Sequence, residues 1–366
     1  MKILIATNHS YMLYRFRREL VETLMQAHEV ILSMPFVGHE EEFQAMGLRC
    51  IRTDLDRRSI NPVKDLHLIG EYRKILGEVK PDLVMTYSIK PNVYLGGLCK
   101  KQNIPYVTNV QGLGTAFEKP VLSTLVSRMY RSALRRARTV FFENQENAEF
   151  FREKKIVSPR QITVLPGAGI NLEEYPEVPM VEDSVCRFLF VGRIMKEKGV
   201  DEFFSAAQTL KAEFGEKVAF DVVGFYEDAY KDLVDQLVAE GVVTFHGFQT
   251  EVHPYYASAS CVVLPSYHEG MSNVLLEGAA TGRALITSDI PGCREAVEDG
   301  VSGYLCPAKD VERLTQAMRT FAEQSFRQQS DMGRRGRQLV EQRFDKKRVV
   351  ARTVAAMMQD TVRSMT

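Results

Sequence analysis

Long apolar runs are missing from this 366-residue chain: no stretch of 18 or more apolar residues occurs, which excludes a membrane-spanning helix. The opening "MKILIAT" is short and stops at a polar loop, without the length or cleavage site of a signal peptide. The six cysteines (Cys50, Cys99, Cys186, Cys261, Cys293 and Cys306) form no CxxC pair. That argues against structural zinc and fits reduced thiols in the cytoplasm. Net charge is also absent, 47 basic residues balancing 47 acidic ones, which weighs against nucleic-acid binding. The balance is uneven along the chain. Residues 1–140 carry 21 Lys and Arg against 13 Asp and Glu, a surplus of eight that the remainder reverses. Such asymmetry points to an anionic partner for the first half, a membrane surface or phosphorylated lipid as readily as a nucleic acid.

What is present is ordinary globular composition, 45% hydrophobic and 26% charged, with a length that suggests two domains. "KILIAT", "HEVILSM", "PDLVMTYS", "IPYVTNV", "TVFFEN" and "ITVLPG" read as strands separated by helical stretches. "PGAGINLEEYPEVPMVEDS" is rich in Pro, Gly and acid and reads as a linker. The alternation then restarts with "CRFLFVGR", "VAFDVVG", "VTFHGF", "CVVLPS", "ALITSD" and "GYLC". The expectation is α/β, with an N-terminal Rossmann-like domain over 1–167, a linker over 168–186 and a second such domain over 187–345. A terminal helix over 346–366 is expected to pack back toward the first domain. Ligands of open α/β sheets bind outside the carboxyl ends of strands, and two such sheets facing each other would enclose a cleft.

Two motifs leave strand ends in the second half. "FLFVGRIMKEKG" places Gly192, Arg193 and Lys198 after one strand. Arg offers a planar fork and Lys a compact charge, and both suit phosphate; the plainer reading is a solvated basic turn. "CVVLPSYHEGMSNVLLEGAA" starts a helix near Met271–Asn273, whose N–H groups form an anion site. Gly270 permits close approach of a ligand, while Ser272 or Asn273 also suits a plain N-cap. Glu269 and Glu277 lie eight positions apart, roughly 80° on a helical projection, so both suit one cleft. A carboxylate accepts two hydroxyls at once: Glu277 suits a ribose diol and Glu269 sugar hydroxyls. A surface glutamate is the alternative for Glu277, set against the apolar neighbours in "NVLLEGAA".

Taken together, "VGRIMKEKG" and "LPSYHEGMSNVLLEGAATGRALITSDIPGCREAVEDGVSGYLC" resemble the family 4 retaining glycosyltransferases over essentially the whole chain. That resemblance implies the GT-B architecture of two facing Rossmann-like domains. It implies that Glu269 and Glu277 form the family's E-x7-E motif, Glu269 touching the donor sugar and Glu277 the ribose. Arg193 and Lys198 would hold the diphosphate, with the backbone of Gly270, Met271, Ser272 and Asn273 facing the donor. It further implies retention through a front-face mechanism, a donor that is more often UDP-linked, and no cofactor. Negative charge growing on the leaving phosphate would be stabilised by fixed cations and helix N–H groups. The "DLD" at Asp54–Asp56 is rejected as a metal site, because it lies in the other half and pairs naturally with Arg57 and Arg58.

In the first half, Asn8, His9 and Ser10 follow the first strand where the family often has a glycine-rich loop. His9 is read evenly as a phosphate or proton partner or as a loop histidine without a role. Among Arg15, Arg17 and Arg18, at least one is expected to face the cleft or a membrane. "TYSIKPNVYLGG" and "TNVQGLGTAF" place Lys90, Gly112 and Gly114 near an acceptor, Lys90 meeting an anion. These stretches resemble a subgroup that extends undecaprenyl-diphosphate-linked sugars, including bacillosaminyl-diphospho-undecaprenol N-acetylgalactosaminyltransferases and capsule and O-antigen enzymes. Many family members carry a histidine in the 109–114 loop, which here reads Asn109-Val110-Gln111. "KPVLSTLVSRMYRSALRRAR" (119–138) has a basic amphipathic pattern, with Arg128, Arg131, Arg135 and Arg136 either on a solvated back or against anionic lipid.

The reading is therefore a metal-independent hexosyl- or N-acetylhexosaminyltransferase. It uses a nucleotide sugar donor and a lipid-linked saccharide acceptor, and sits peripherally on the inner face of the cytoplasmic membrane. A nucleotide-sugar epimerase of the same fold, or a non-catalytic nucleotide-sugar or lipid-binding protein, is the alternative.

Overall fold

The computed structural model describes residues 1–55, 61–112, 117 and 120–363. The chain divides into two compact units, Met1–Ala168 with the chain from Lys347 onward, and Gly169–Lys346. No described helix is long and apolar enough to cross a membrane.

The first unit runs β1 (Lys2–Ala6), α1 (Ser10–Met25), β2 (Glu29–Met34), α2 (Glu40–Ala45), β3 (Arg49–Arg52), α3 (Pro62–Val79), β4 (Leu83–Tyr87), α4 (Gly96–Gln102), β5 (Tyr106–Val110), α5 (Pro120–Leu134), β6 (Thr139–Phe142), α6 (Gln145–Glu153) and β7 (Ile162–Val164). Its strands form one parallel sheet in the order β3-β2-β1-β4-β5-β6-β7. Parallel sheets are covered on both faces, so their strands must be apolar throughout. Accordingly β4 and β5 are buried at every residue. The short edge strand β3, "RCIR", is absent from the sequence expectation; its charged ends disguise it.

The second unit runs β8 (Cys186–Val191), α7 (Val200–Phe214), β9 (Val218–Val223), α8 (Lys231–Ala239), β10 (Thr244–Phe245), α9 (His253–Ser258), β11 (Cys261–Leu264), α10 (Asn273–Ala280), β12 (Ala284–Ser288), β13 (Gly303–Cys306), α11 (Val311–Ala322) and α12 (Phe326–Arg343). Its parallel sheet has the order β10-β9-β8-β11-β12-β13. A last helix, α13 (Lys346–Arg363), buries Val350 and Met357 in the core of the first unit with Ile3, Ile5 and Leu32.

In each sheet the connection reverses direction once, beside β1 and beside β8. Such a switch point leaves a crevice at the carboxyl ends of the two central strands. In the second unit those strands are β8 and β11.

Candidate functional site

The end of β8 is pinned before it carries any chemistry. Gly192 N–H donates to Val223 O at 2.9 Å, and Ile194 N–H to Phe225 O at 2.8 Å. A Cβ on Gly224 would lie 1.7 Å from Gly192 O, so the two strand ends approach as only glycine permits. Arg193 projects from this turn, 40% exposed, with its guanidinium 3.7 Å from the Glu227 carboxylate. One turn later Gly199, at φ +72°, begins α7. A side chain there would strike Pro265 O at 2.0 Å. The loop after β8 is thereby held against the loop after β11, and Tyr267 N–H donates to Glu197 O at 2.9 Å across the same seam.

On this seam Lys198 Nζ lies 2.5 Å from Glu269 Oε1, with the two side chains only 18% and 13% exposed. Ser266 Oγ donates to the same oxygen at 2.9 Å. Behind them Cys293 is fully buried; burial first, then the neighbouring Glu269 carboxylate, push its thiol up. Tyr267 donates to Glu202 at 2.7 Å, and burial followed by that bond raises its hydroxyl.

Ser272 is the N-cap of α10, its hydroxyl accepting from Leu275 N–H, so the capping alternative holds for this side chain. Its own N–H donates to Gly292 O at 2.8 Å. Gly292 has φ +84°, and a Cβ there would meet Gly270 O at 2.4 Å, which braces the Glu269–Gly270 turn from the loop after β12. α10 begins at Asn273, four residues after Glu269, with the positive end of its dipole at that turn. Glu277 is on α10, 7% exposed, and its Oε2 accepts from Tyr256 OH at 2.8 Å. The surface-glutamate alternative is thus excluded. Arg193, Lys198, Glu269, Gly270, Met271, Ser272, Asn273 and Glu277 all fall at the switch-point edge of this sheet or in the helix leaving it.

Sequence reasoning missed Tyr256, Gly292 and the Phe225–Phe248 pair. Tyr256 and Gly292 act through contacts no spacing announces. Phe225 and Phe248 are exposed (44% and 57%) and stand ring to ring at 6.0 Å, just past β9 and β10. Solvent-facing phenylalanines at adjacent strand ends are the signal that was available.

In the first unit the expected acceptor residues are less uniform. Asn8 Oδ1 accepts from Ser88 Oγ at 2.8 Å, and Ser88 sits at φ +71°, a strained conformation for serine. His9 caps α1, its Nδ1 accepting from Tyr11 N–H at 3.1 Å. Ser10 is a correction: it is fully buried and bonds both backbone groups of Val37, so it braces a loop and offers nothing to a ligand. Lys90 Nζ meets Asp65 Oδ1 at 2.8 Å. Arg17 is likewise buried, 2.7 Å from Glu143. Gly112 is half-buried; Gly114, Asp56, Arg57 and Arg58 lie outside the described residues.

The basic segment differs from its expected form. α5 stops at Leu134, so Arg135 and Arg136 lie beyond the helix. Val126, Tyr130 and Leu134 are buried in the unit's own core, which removes most of the apolar stripe a membrane helix would insert. Arg128, Arg131, Arg135 and Arg136 are exposed. Arg131 donates to the carbonyls of Lys154 and Lys155, and Arg136 to Asn103.

The chain is similar to known glycosyltransferases. Residues 186–324 match the family described as glycosyl transferases group 1, and residues 2–144 the family described as glycosyl transferase 4-like. The chain is 26% identical over 332 residues to the N,N'-diacetylbacillosaminyl-diphospho-undecaprenol alpha-1,3-N-acetylgalactosaminyltransferase of Campylobacter jejuni, covering 85% of this chain and 86% of that one. It is 24% identical over 282 residues to an Escherichia coli UDP-Gal:alpha-D-GlcNAc-diphosphoundecaprenol alpha-1,3-galactosyltransferase, 71% of each chain. Among solved structures, Anabaena Alr3699/HepE in complex with UDP and glucose superposes with a TM-score of 0.80 at 16% identity, covering 98% of this chain and 100% of that one. The last is a likeness of fold, and the fold class is GT-B.

Proposed function

Because the chain belongs to the glycosyl transferases of group 1 with a 4-like N-terminal domain, we propose that it moves a hexose or N-acetylhexosamine from a UDP-sugar to an undecaprenyl-diphosphate-linked saccharide, with retention. The observation that carries the donor half is the Lys198–Glu269 pair, whose glutamate lies four residues before the start of α10. As the glycosidic bond to the diphosphate breaks, negative charge grows on the leaving oxygen. Arg193, Lys198 and the helix dipole supply compensating positive charge at fixed positions, the role a divalent metal plays elsewhere. Glu269 is oriented by Lys198 and Ser266 and takes the sugar hydroxyls. Glu277, steadied by Tyr256, takes the ribose hydroxyls. The exposed Phe225–Phe248 pair offers an aromatic face to the base. A front-face displacement, with the departing phosphate accepting the acceptor's proton, requires no protein nucleophile.

The acceptor half rests on the names of the two relatives, both of which act on diphospho-undecaprenol-linked sugars. The exposed Arg128, Arg131, Arg135 and Arg136 support peripheral attachment to the inner face of the cytoplasmic membrane, at about 1 kcal/mol for each basic residue near an anionic surface.

The test is thermal unfolding with UDP, GDP and ADP, with and without EDTA, for the wild type and Glu277→Ala. UDP at 100 times its dissociation constant adds about 2.7 kcal/mol of stability. A shift with UDP alone, indifferent to EDTA and lost in the variant, supports the reading. The absence of a shift with every nucleotide overturns it.

A further inference from the structure

Arg193 carries a charge that the fold has already matched. Its guanidinium lies 3.7 Å from the Glu227 carboxylate, too far for a hydrogen bond but close for two opposite charges. The two side chains are 40% and 19% exposed. Main-chain bonds hold the carboxylate in that place. Ile194 N–H donates to Phe225 O at 2.8 Å, and the N–H groups of Glu227 and Asp228 donate back to Ile194 O at 3.2 and 3.3 Å. Lys196 N–H donates to Asp228 Oδ2 at 3.2 Å, and Gly224 N–H to Gly247 O at 2.9 Å. The chain leaving β9 is thus clamped along the chain leaving β8, and Glu227 accompanies Arg193.

The donor chemistry gives Glu269 and Glu277 hydroxyls to bind and leaves Glu227 without a task. A carboxylate in that position opposes a diphosphate, because it repels the anion and shares the charge of the cation meant for it. The opposition is unequal between donor and product. In a sugar diphosphate the terminal phosphate is esterified on both sides. When the C1–O bond breaks, its electron pair stays on that phosphate, while the acceptor oxygen takes its place at C1 and gives up its proton. The phosphate left behind gains a second ionisation at about pH 6. Near neutral pH the released nucleoside diphosphate is therefore more negative than the donor was, and an anionic neighbour weakens it more.

We propose that Glu227 is an affinity-determining residue: by sharing the charge of Arg193 it loosens the hold on the departed nucleoside diphosphate and eases its release. The proposal rests on the transferase reading and deepens it at the same site. A residue that only orients Arg193 has the opposite effect when removed, so the sign of the change decides.

The experiment is calorimetric titration of the full chain with UDP, inorganic pyrophosphate and uridine. Wild type is compared with Glu227→Gln, Glu227→Ala and Glu240→Gln. Glu240 is exposed at the far end of α8 and controls for net charge. The alanine variant covers the case in which an amide at 227 takes over a bond of the carboxylate. The expected result is that both Glu227 variants bind UDP and pyrophosphate about fivefold more tightly, the upper end for a partly exposed ion pair. Uridine affinity stays unchanged, and Glu240→Gln matches wild type. Unchanged or weaker binding of the two anions in both Glu227 variants overturns the proposal. So does equal tightening in Glu240→Gln or an equal gain for uridine. With UDP bound by wild type, those outcomes defeat the role of Glu227 alone. No binding of UDP or pyrophosphate by wild type overturns the transferase reading as well.

Discussion

Lys198 Nζ and Glu269 Oε1 are 2.5 Å apart although 71 residues separate them in the chain. Each belongs to a loop that leaves one of the two central strands of its sheet, and Gly199 against Pro265 holds those loops together. The pair is mostly buried, so each charge depends on the other for compensation.

That dependence predicts the behaviour of its variants. Lys198→Ala is expected to lower kcat about 10²- to 10³-fold, the usual loss on removing one fixed stabiliser of developing charge. Glu269→Gln is expected to weaken use of the donor sugar while leaving UDP affinity within a few-fold. Steady-state kinetics beside UDP titration checks both. Equal loss of UDP affinity and kcat in Glu269→Gln would remove the carboxylate from the sugar and return it to a structural role.

Phe248→Ala is expected to weaken UDP binding about 5- to 150-fold, the equivalent of 1–3 kcal/mol for stacking one base. Binding of inorganic pyrophosphate should not change. Calorimetric titration with both ligands reads the difference. Equal weakening of both would mean that the aromatic pair supports the loops rather than a base.

Arg283 is fully buried and donates to the carbonyls of Tyr256, Val178 and Ala257 at 2.8–2.9 Å. Burial pushes its guanidinium down to about 10. A lysine cannot reproduce that fork, and orphaned carbonyls each cost about 1–3 kcal/mol. Arg283→Lys is therefore expected to destabilise the second unit by about 3 kcal/mol, a fall in Tm of roughly 6–12 °C. Calorimetry that finds less than 2 °C would mean that the carbonyls find other partners.

The cysteines predict an alkaline response. Burial pushes the Cys50 thiol up to about 11 and those of Cys99, Cys186 and Cys306 up to about 12, from an ordinary 9.0. At pH 8 each is a thiol, with about one Cys50 in a thousand ionised, so the native protein should react slowly with a disulfide reagent and fully only in denaturant. The sign for stability follows. Above pH 9 the unfolded chain loses these protons while the native one keeps them, so their contribution is present below 9 and disappears as pH rises toward 12. Fast labelling of the native state at pH 8 would contradict the burial.

Much of the architecture was legible in the chain. Twelve of the thirteen strands among the described residues stand out as apolar runs, and the restart at "CRFLFVGR" marks the second sheet. The exception, β3, is four residues at a sheet edge with arginines at both ends, so its pattern carries little signal. The candidate donor motif was legible for a local reason: Glu269, Ser272 and Glu277 lie within nine residues of one loop and helix, where backbone geometry sets their spacing.

Partners drawn from distant segments were decided only by tertiary structure. Sheet order sets β8 beside β11, and that alone brings Lys198 to Glu269. Packing of α9 brings Tyr256 to Glu277, and Gly292 reaches Gly270 because its loop leaves the neighbouring strand. The same cause brings Lys90 to Asp65 on α3. Ser10 was lost to Val37 in this way as well. Residue type and spacing determine what a side chain is able to do; which partner it meets depends on strand order, which a short-range pattern does not encode.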